Sequence, residues 1–143
     1  MATKRRRARI KAVIILYQSD LLKKDVSDII NTEMIFKKRI DVFSLKLVLG
    51  VEKNKDIIDN IIKSIVENWT IERISIIDRN ILRMAIYEMV FENEIPLKVS
   101  VDEAIEIAKI LGQKDDTPKF VNGILGKVLI DIDSIKKNLE IAG

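Results

Sequence analysis

Residues 75–91 read SIIDRNILRMAIYEMVF, and their pattern predicts the central helix of the protein. Ser75 is a good N-cap, and Asp78 stands at the third position, where a carboxylate favours the positive end of a helix. Apolar residues lie around much of the helical circumference, at Ile77, Ile81, Leu82, Met84, Ala85, Ile86, Met89 and Val90. Because a helix that is apolar on most sides has to be enclosed by other elements, we expect a helical bundle around this segment.

The sequence before this segment also repeats apolar residues at helical spacing. We predict a first helix that begins within the arginine run at 5–9 and a second helix that follows Ser27. The stretch from Ile40 to Trp69 predicts one long or bent helix with a joint at Gly50. This long helix would form the spine of the domain.

Two further helices are predicted after the central one. Ser100 and Glu103 form a capping box that predicts the start of a helix, and Gly112 predicts its end. Thr117 predicts the cap of the last helix, with Pro118 at its first position. No segment follows the period of a strand convincingly. We therefore expect an all-α chain of about seven helices in one domain that spans residues 1–143.

The composition is that of a globular protein with few catalytic options. The 143 residues are 48% hydrophobic and 33% charged, with five glycines, two prolines, no cysteine and no histidine. Thiolate and imidazole metal ligands, nucleophiles and bases are therefore missing, and the glycines fit no phosphate-loop spacing. No apolar run approaches the ~20 residues of a membrane span. We expect a soluble, cytoplasmic protein that is no enzyme and binds no metal or cofactor.

Basic residues are concentrated at the N-terminus. Six of the twenty-five lysines and arginines lie between Lys4 and Lys11, before the first acidic residue, Asp20. The rest of the chain contains nineteen basic and twenty-two acidic residues, so it is mildly acidic. Cations at a helix N-terminus oppose its dipole, so we predict that a basic arm at 1–9 binds RNA phosphates. The alternative is a solvated arm that only aids solubility.

The segment Lys119-Phe120-Val121-Asn122-Gly123 is the second candidate for RNA binding. The buried stripe of the last helix leaves Phe120 about a quarter turn to one side, on the same flank as Gly123 and Lys127. An aromatic ring beside a glycine and lysines is a platform for an unpaired base, and Asp116 lies close enough to repel a phosphate there. The alternative is that Phe120 covers the edge of the core and that the glycines admit a neighbouring helix.

Four stretches carry a resemblance to a known family, in that family's order and across nearly the whole chain. They are RRRAR at 5–9, DRNILRMAIYE at 78–88, DEAIEIAK at 102–109 and KFVNGIL at 119–125. In these stretches the chain resembles the NusB family of transcription antitermination factors. Residues 26–68 resemble the family only in their helical pattern.

The resemblance implies a fold of two packed helical bundles and a role in nascent transcripts, chiefly of ribosomal RNA operons. It implies that single-stranded boxA RNA is bound as a heterodimer with the small-subunit ribosomal protein that acts as NusE. This heterodimer would join RNA polymerase and other Nus factors. The family pattern places Asp78 and Tyr87 towards NusE, and the acidic body agrees with a basic partner. The RNA surface would comprise Lys4, Arg5, Arg6, Arg7, Arg9, Asp116, Lys119, Phe120, Asn122 and Gly123.

Two other functions stay open at this stage. A related domain occurs fused to ribosomal RNA cytosine methyltransferases, which would make this chain the RNA-targeting module of a modifying enzyme. The chain ends at Gly143, so we expect no methyltransferase domain. The second alternative is a protein adaptor that makes no RNA contact.

Overall fold

The computed structural model describes residues 3–36, 39–66 and 70–142. In these ranges the chain is helical and contains no strand, which confirms the all-α prediction. The described elements are a 3-10 turn at Ile71–Arg73 and the seven helices α1 (Lys4–Leu22), α2 (Val26–Ile35), α3 (Val42–Lys53), α4 (Lys55–Ile65), α5 (Ile76–Phe91), α6 (Leu97–Leu111) and α7 (Thr117–Ala142).

Helix α5 lies at the centre, as its sequence predicts. Every residue from Asn80 to Val90 is buried, and α5 packs against α1, α3, α4, α6 and α7. The Ser75 hydroxyl accepts the N–H of Asp78 at 3.3 Å, so the predicted N-cap is confirmed. Burial on all sides follows from the apolar residues around the circumference of the helix.

The other helices form two groups around α5. Helices α1, α2 and α3 pack against one another, while α6 and α7 pair and α4 contacts α7. The two packed bundles that the resemblance implies are therefore present. Their buried apolar side chains form one continuous core cluster. Within the described ranges, no helix combines the length and the hydrophobicity needed to cross a bilayer.

The predicted long helix is instead two helices, α3 and α4, which meet at Asn54. The Asn54 side chain donates to the Gly50 carbonyl at 2.8 Å and stabilises this break. The joint therefore does not lie at Gly50, which serves packing instead, because a Cβ there would overlap the Tyr87 ring. Trp69, the predicted end of this element, lies outside the described residues.

Both caps predicted for the last two helices were wrong. Helix α6 begins at Leu97, and Ser100 is a buried residue within it whose hydroxyl donates to Glu88 at 3.0 Å. The Thr117 hydroxyl donates to Asp78 and accepts from the backbone of Lys114, both at 3.1 Å. In both cases the hydroxyl donates to a buried carboxylate, which needs hydrogen-bond donors, and it does not cap its own helix. The predicted end of α6 at Gly112 is confirmed.

Candidate nucleic-acid interface

Residues 4–9 of the basic arm form the first turns of α1. Thr3 caps this helix by accepting the Arg6 N–H at 3.1 Å, and no acidic residue lies in the first turn. Lys4, Arg5 and Arg7 are exposed. Exposed cations therefore add to the partial positive charge of the helix N-terminus, and this end of α1 attracts anions.

Arg5 and Lys4 are positioned by the start of α3. The Arg5 guanidinium lies 4.0 Å from the centroid of the Phe43 ring, which is a cation–π distance. Lys4 Nζ lies 4.0 Å from an Asp41 carboxylate oxygen, a weak contact because the Lys4 side chain is 85% exposed. The Phe43 ring therefore supports the Arg5 guanidinium, while the Arg5 side chain stays exposed.

Arg6 is engaged by α6. Its Nε donates to Glu103 Oε2 at 2.7 Å, and its side chain keeps 26% of its surface exposed. The hydrogen bond and the charge of Glu103 raise the pKa of Arg6 above its ordinary value. An RNA phosphate at Arg6 has to compete with this carboxylate.

Arg9 differs from the other arm arginines because it is 3% exposed. Its Nε and Nη2 donate to the two carboxylate oxygens of Glu88 at 2.7 and 2.8 Å. A side chain that is buried and bound in this way holds α1 against α5. We therefore remove Arg9 from the expected RNA contacts and assign it to the fold.

Phe120 lines a groove of about 530 Å³ at the start of α7 and the end of α4. The ring is half-buried, with part of it packed against the core. The groove brings together most of the predicted platform, and its lining comprises Ile65, Val66, Asp116, Lys119, Phe120, Gly123, Ile124 and Lys127. A base that stacks on Phe120 would therefore meet two lysines and one carboxylate.

The glycines beside Phe120 do not serve helix packing. A Cβ built at Gly123 or Gly126 would have no heavy-atom neighbour within 4 Å outside its own stretch of helix. The alternative that these glycines admit a neighbouring helix is therefore wrong. Gly123 leaves open space in the groove, although a glycine inside a helix costs roughly 1 kcal/mol relative to alanine.

Asn122 is exposed but does not line the groove. Two residues of helix turn it by about 200° from Phe120, which places it on the other flank of the buried stripe. The structure therefore brings Asp116, Lys119, Phe120 and Gly123 together and leaves Asn122 apart.

The two residues expected to face a protein partner are buried, each 8% exposed. Asp78 accepts the Thr117 hydroxyl and the Gln113 N–H, both at 3.1 Å. Tyr87 donates to Glu92 at 2.6 Å, and burial together with this hydrogen bond raises the pKa of Tyr87 well above its ordinary value. Because both polar groups are used inside the protein, the expectation of direct partner contacts at Asp78 and Tyr87 is corrected.

The two candidate RNA elements lie near opposite ends of α5. Arg9 of the arm binds Glu88 near the end of α5. Thr117 at the start of α7 binds Asp78 near the beginning of α5. Asp78 and Glu88 are ten residues apart, so these anchor points are separated by about 15 Å along the helix. A single strand that touches both has to span several nucleotides.

Phe43 and Glu103 were missed as neighbours of the arm. Phe43 lies 38 positions after Arg5 in the sequence. Helical periodicity relates only residues within a few turns, so it cannot predict this contact. The sequence pattern predicts Glu103 in a capping box with Ser100, whereas in the structure Glu103 pairs with Arg6. Across the described residues, no group of three or more acidic side chains is placed to hold a metal ion.

Residues 6–129 match the model of the NusB family. The transcription antitermination protein NusB of Bacillus pumilus is 43% identical over 129 residues, which cover 90% of this chain and 97% of that protein. The NusB of Bacillus subtilis is also 43% identical, over 134 residues that cover 91% of this chain and 98% of the relative.

Two solved structures are similar along almost their whole length. NusB of T. maritima has a TM-score of 0.77 and 36% identity, with coverage of 96% of this chain and 93% of that one. A crystal structure of the antitermination factors NusB and NusE in complex with double-stranded RNA has a TM-score of 0.72 and 25% identity. The alignment covers 95% of this chain and 99% of the NusB-like chain it was compared with.

Proposed function

The chain belongs to the NusB family, and we propose that it acts in antitermination by binding the boxA element of nascent RNA as a heterodimer with the ribosomal protein that serves as NusE. The heterodimer joins RNA polymerase with the other Nus factors on ribosomal RNA operons. The proposal contains no catalytic step. The family resemblance supports the roles of boxA and RNA polymerase. The groove at Phe120 and the start of α1 support the binding of RNA.

The groove at Phe120 is the observation that carries this proposal. Lys119 and Lys127 supply charge for phosphates, and Phe120 supplies a ring for a base. Gly123 keeps the space beside the ring open. Stacking on an aromatic ring is worth ~1–3 kcal/mol per base, and lysines at the same groove add an electrostatic contribution.

The start of α1 supplies the second part of the RNA surface. Lys4, Arg5 and Arg7 are exposed at the positive end of the helix, where they attract the phosphates of an RNA strand. Arg6 contributes when a phosphate displaces Glu103. These contacts are not specific for sequence, and they position the strand while the base contacts select it.

The protein partner is inferred from charge and from a relative. The body of the chain is acidic once the arm is set aside, which favours a basic ribosomal protein. The relative that was solved with NusE and RNA supports the same combination. Because Asp78 and Tyr87 are buried, the partner has to contact other residues.

A titration of boxA-like single-stranded RNA against Phe120→Ala tests the proposal. We expect binding to weaken by ~1–3 kcal/mol with little change in melting temperature, because the ring lies at the edge of the core. The matched control is Phe36→Ala, since Phe36 is 71% exposed at the end of α2. Unchanged affinity in Phe120→Ala, or equal weakening in both variants, would contradict the assignment of the groove.

A further inference from the structure

A cavity of about 660 Å³ lies beside the arm, away from the Phe120 groove. Its walls come from the start of α1, the start of α3, the connection between α5 and α6, and α6 itself. Its volume falls within the range of about 300–1,000 Å³ that is typical of sites for small ligands. A single nucleotide base fits in this space.

One wall of the cavity is the stacked pair of Arg5 and Phe43. Phe43 is 9% exposed and belongs to the core, and the guanidinium groups of Arg5 and Arg9 lie 4.0 and 5.2 Å from the centroid of its ring. Arg5 itself is exposed and lines the cavity, so a ligand in the cavity can reach its guanidinium. A planar guanidinium that rests on an aromatic ring is a rigid surface for an unpaired base.

The four acidic side chains that line the cavity differ in whether another residue of the protein already binds them. Three of the four carboxylates already have partners: Asp41 accepts the Phe43 N–H, Glu92 pairs with Lys46, and Glu103 pairs with Arg6. Glu94 is exposed, and none of the described residues forms a hydrogen bond or ion pair with it. Glu94 is therefore the acceptor of this cavity that is available to a ligand.

The cavity also has apolar walls that are open to solvent. Val42 is 80% exposed and Val99 is 41% exposed, and both line it. An available cation, an available anion and apolar walls suit a flat, neutral ligand with hydrogen-bond donors. Inside the cavity Glu94 would repel a phosphate, so the phosphates of the bound strand are expected outside it, for example at the exposed Arg7, which does not line the cavity.

We propose that this cavity binds one unpaired nucleobase that stacks on Arg5 and donates its exocyclic amino group to Glu94. The inference rests on the proposed RNA binding and adds a second base site to the one at Phe120. Cytosine has an amino group at the position where uracil has a carbonyl oxygen, and at that position a carboxylate accepts from the amino group and is repelled by the carbonyl oxygen. The cavity therefore selects cytosine over uracil.

The test compares two single-stranded RNAs of about twelve nucleotides, oligocytidine and oligouridine, which match in length and charge. We expect the unaltered chain to bind oligocytidine roughly fivefold more tightly, since a hydrogen bond to a charged acceptor distinguishes the two bases. Glu94→Gln should abolish this preference, because its amide accepts from cytosine and donates to uracil. Glu140→Gln, an equal charge change at an exposed site on α7, should leave the preference intact.

Arg5→Lys separates stacking from charge. Lysine keeps the positive charge but has no planar group, so we expect oligocytidine affinity to fall severalfold with an unchanged dependence on salt. Equal binding of both oligonucleotides, or a preference that persists in Glu94→Gln, would overturn the base site while RNA binding through Phe120 stands. If the unaltered chain bound neither oligonucleotide but bound the boxA-like RNA, the base site alone would fail, and if it bound none of the three, the proposed function would fail with it.

Discussion

Arg9 and Glu88 form a bidentate ion pair in the interior of the protein, with N···O distances of 2.7 and 2.8 Å and side chains that are 4% and 1% exposed. Ser100 donates a third hydrogen bond to Glu88, so the pair connects α1, α5 and α6. The exposed arginines of the arm lie within two turns of Arg9 on the same helix. Their orientation therefore depends on a buried contact that no RNA touches.

Replacing Glu88 with alanine should destabilise the protein by about 3–5 kcal/mol, because the change leaves the Arg9 charge buried without its partner. Urea unfolding followed by circular dichroism at neutral pH measures this loss. Glu140→Ala, at an exposed position on α7, should remain within about 0.5 kcal/mol of the unaltered chain. A loss below about 1 kcal/mol in Glu88→Ala would show that the ion pair is solvated.

The positions of most helices could be predicted because the signals for them are local. The apolar pattern of α5 and the cap at Ser75 depend on residues within one or two turns, and the structure contains both. The break between α3 and α4 was misplaced, since Asn54 has no helix-breaking signal as strong as that of Gly50. The pattern predicts a joint at Gly50, although the lack of a side chain at Gly50 serves contact with Tyr87.

The partners of polar side chains could not be predicted, because they lie far apart in the sequence. Arg9 looks like its neighbours in the arm until the fold places Glu88 against it. The cap at Ser75 correctly predicts Asp78 in the first turn of α5, but the hydrogen bonds to Asp78 come from Gln113 and Thr117, which are 35 and 39 positions away. The side of α7 that carries Phe120 was predictable, since helical geometry alone places Gly123 and Lys127 beside it.

The exposed arginines of the arm should contribute to the salt dependence of RNA binding. Each phosphate contact on a single strand adds about 0.7 to the slope of log affinity against log salt concentration. The double variant Arg5→Ala with Arg7→Ala should therefore reduce the magnitude of the slope by about 1.4. Titrations at four salt concentrations measure the slope.

The control for this experiment removes two charges from the far end of α7. Lys136→Ala with Lys137→Ala changes the net charge equally, and neither lysine lines the groove or the arm cavity. Its slope should stay close to that of the unaltered chain. An unchanged slope in the arm variant would contradict the role of the arm, and an equal reduction in both double variants would mean that the arm acts only through net charge.

Gly123→Ala should stabilise the protein and weaken RNA binding at the same time. Alanine in place of an unhindered helical glycine gains roughly 0.5–1 kcal/mol of stability, and the structure leaves room for its methyl group. The same methyl group occupies groove space beside Phe120, so affinity for RNA should fall severalfold. Thermal unfolding and RNA titration of one preparation measure both effects.

Gly126→Ala is the matched comparison for this variant, because Gly126 is equally unhindered but does not line the groove. It should raise the melting temperature by a similar amount and leave RNA affinity unchanged. If Gly123→Ala were to bind RNA as well as Gly126→Ala, the strand would not approach the helix at this position.

Asp116→Asn should strengthen RNA binding, because Asp116 is exposed and shares the groove with Lys119 and Phe120. Its carboxylate favours the N-terminus of α7 by a few tenths of a kcal/mol, whereas it repels a phosphate at 4 Å by ~1 kcal/mol in water and more where water is excluded. Repulsion therefore dominates when RNA is bound. The amide removes the charge and keeps the shape, so affinity should rise severalfold at low salt, with a smaller gain at high salt because ions screen the charge. Asp115→Asn, at the neighbouring exposed residue outside the groove, should produce a smaller gain. Titrations of both variants at two salt concentrations measure these gains, and equal gains would mean that Asp116 acts through net charge and does not face the strand.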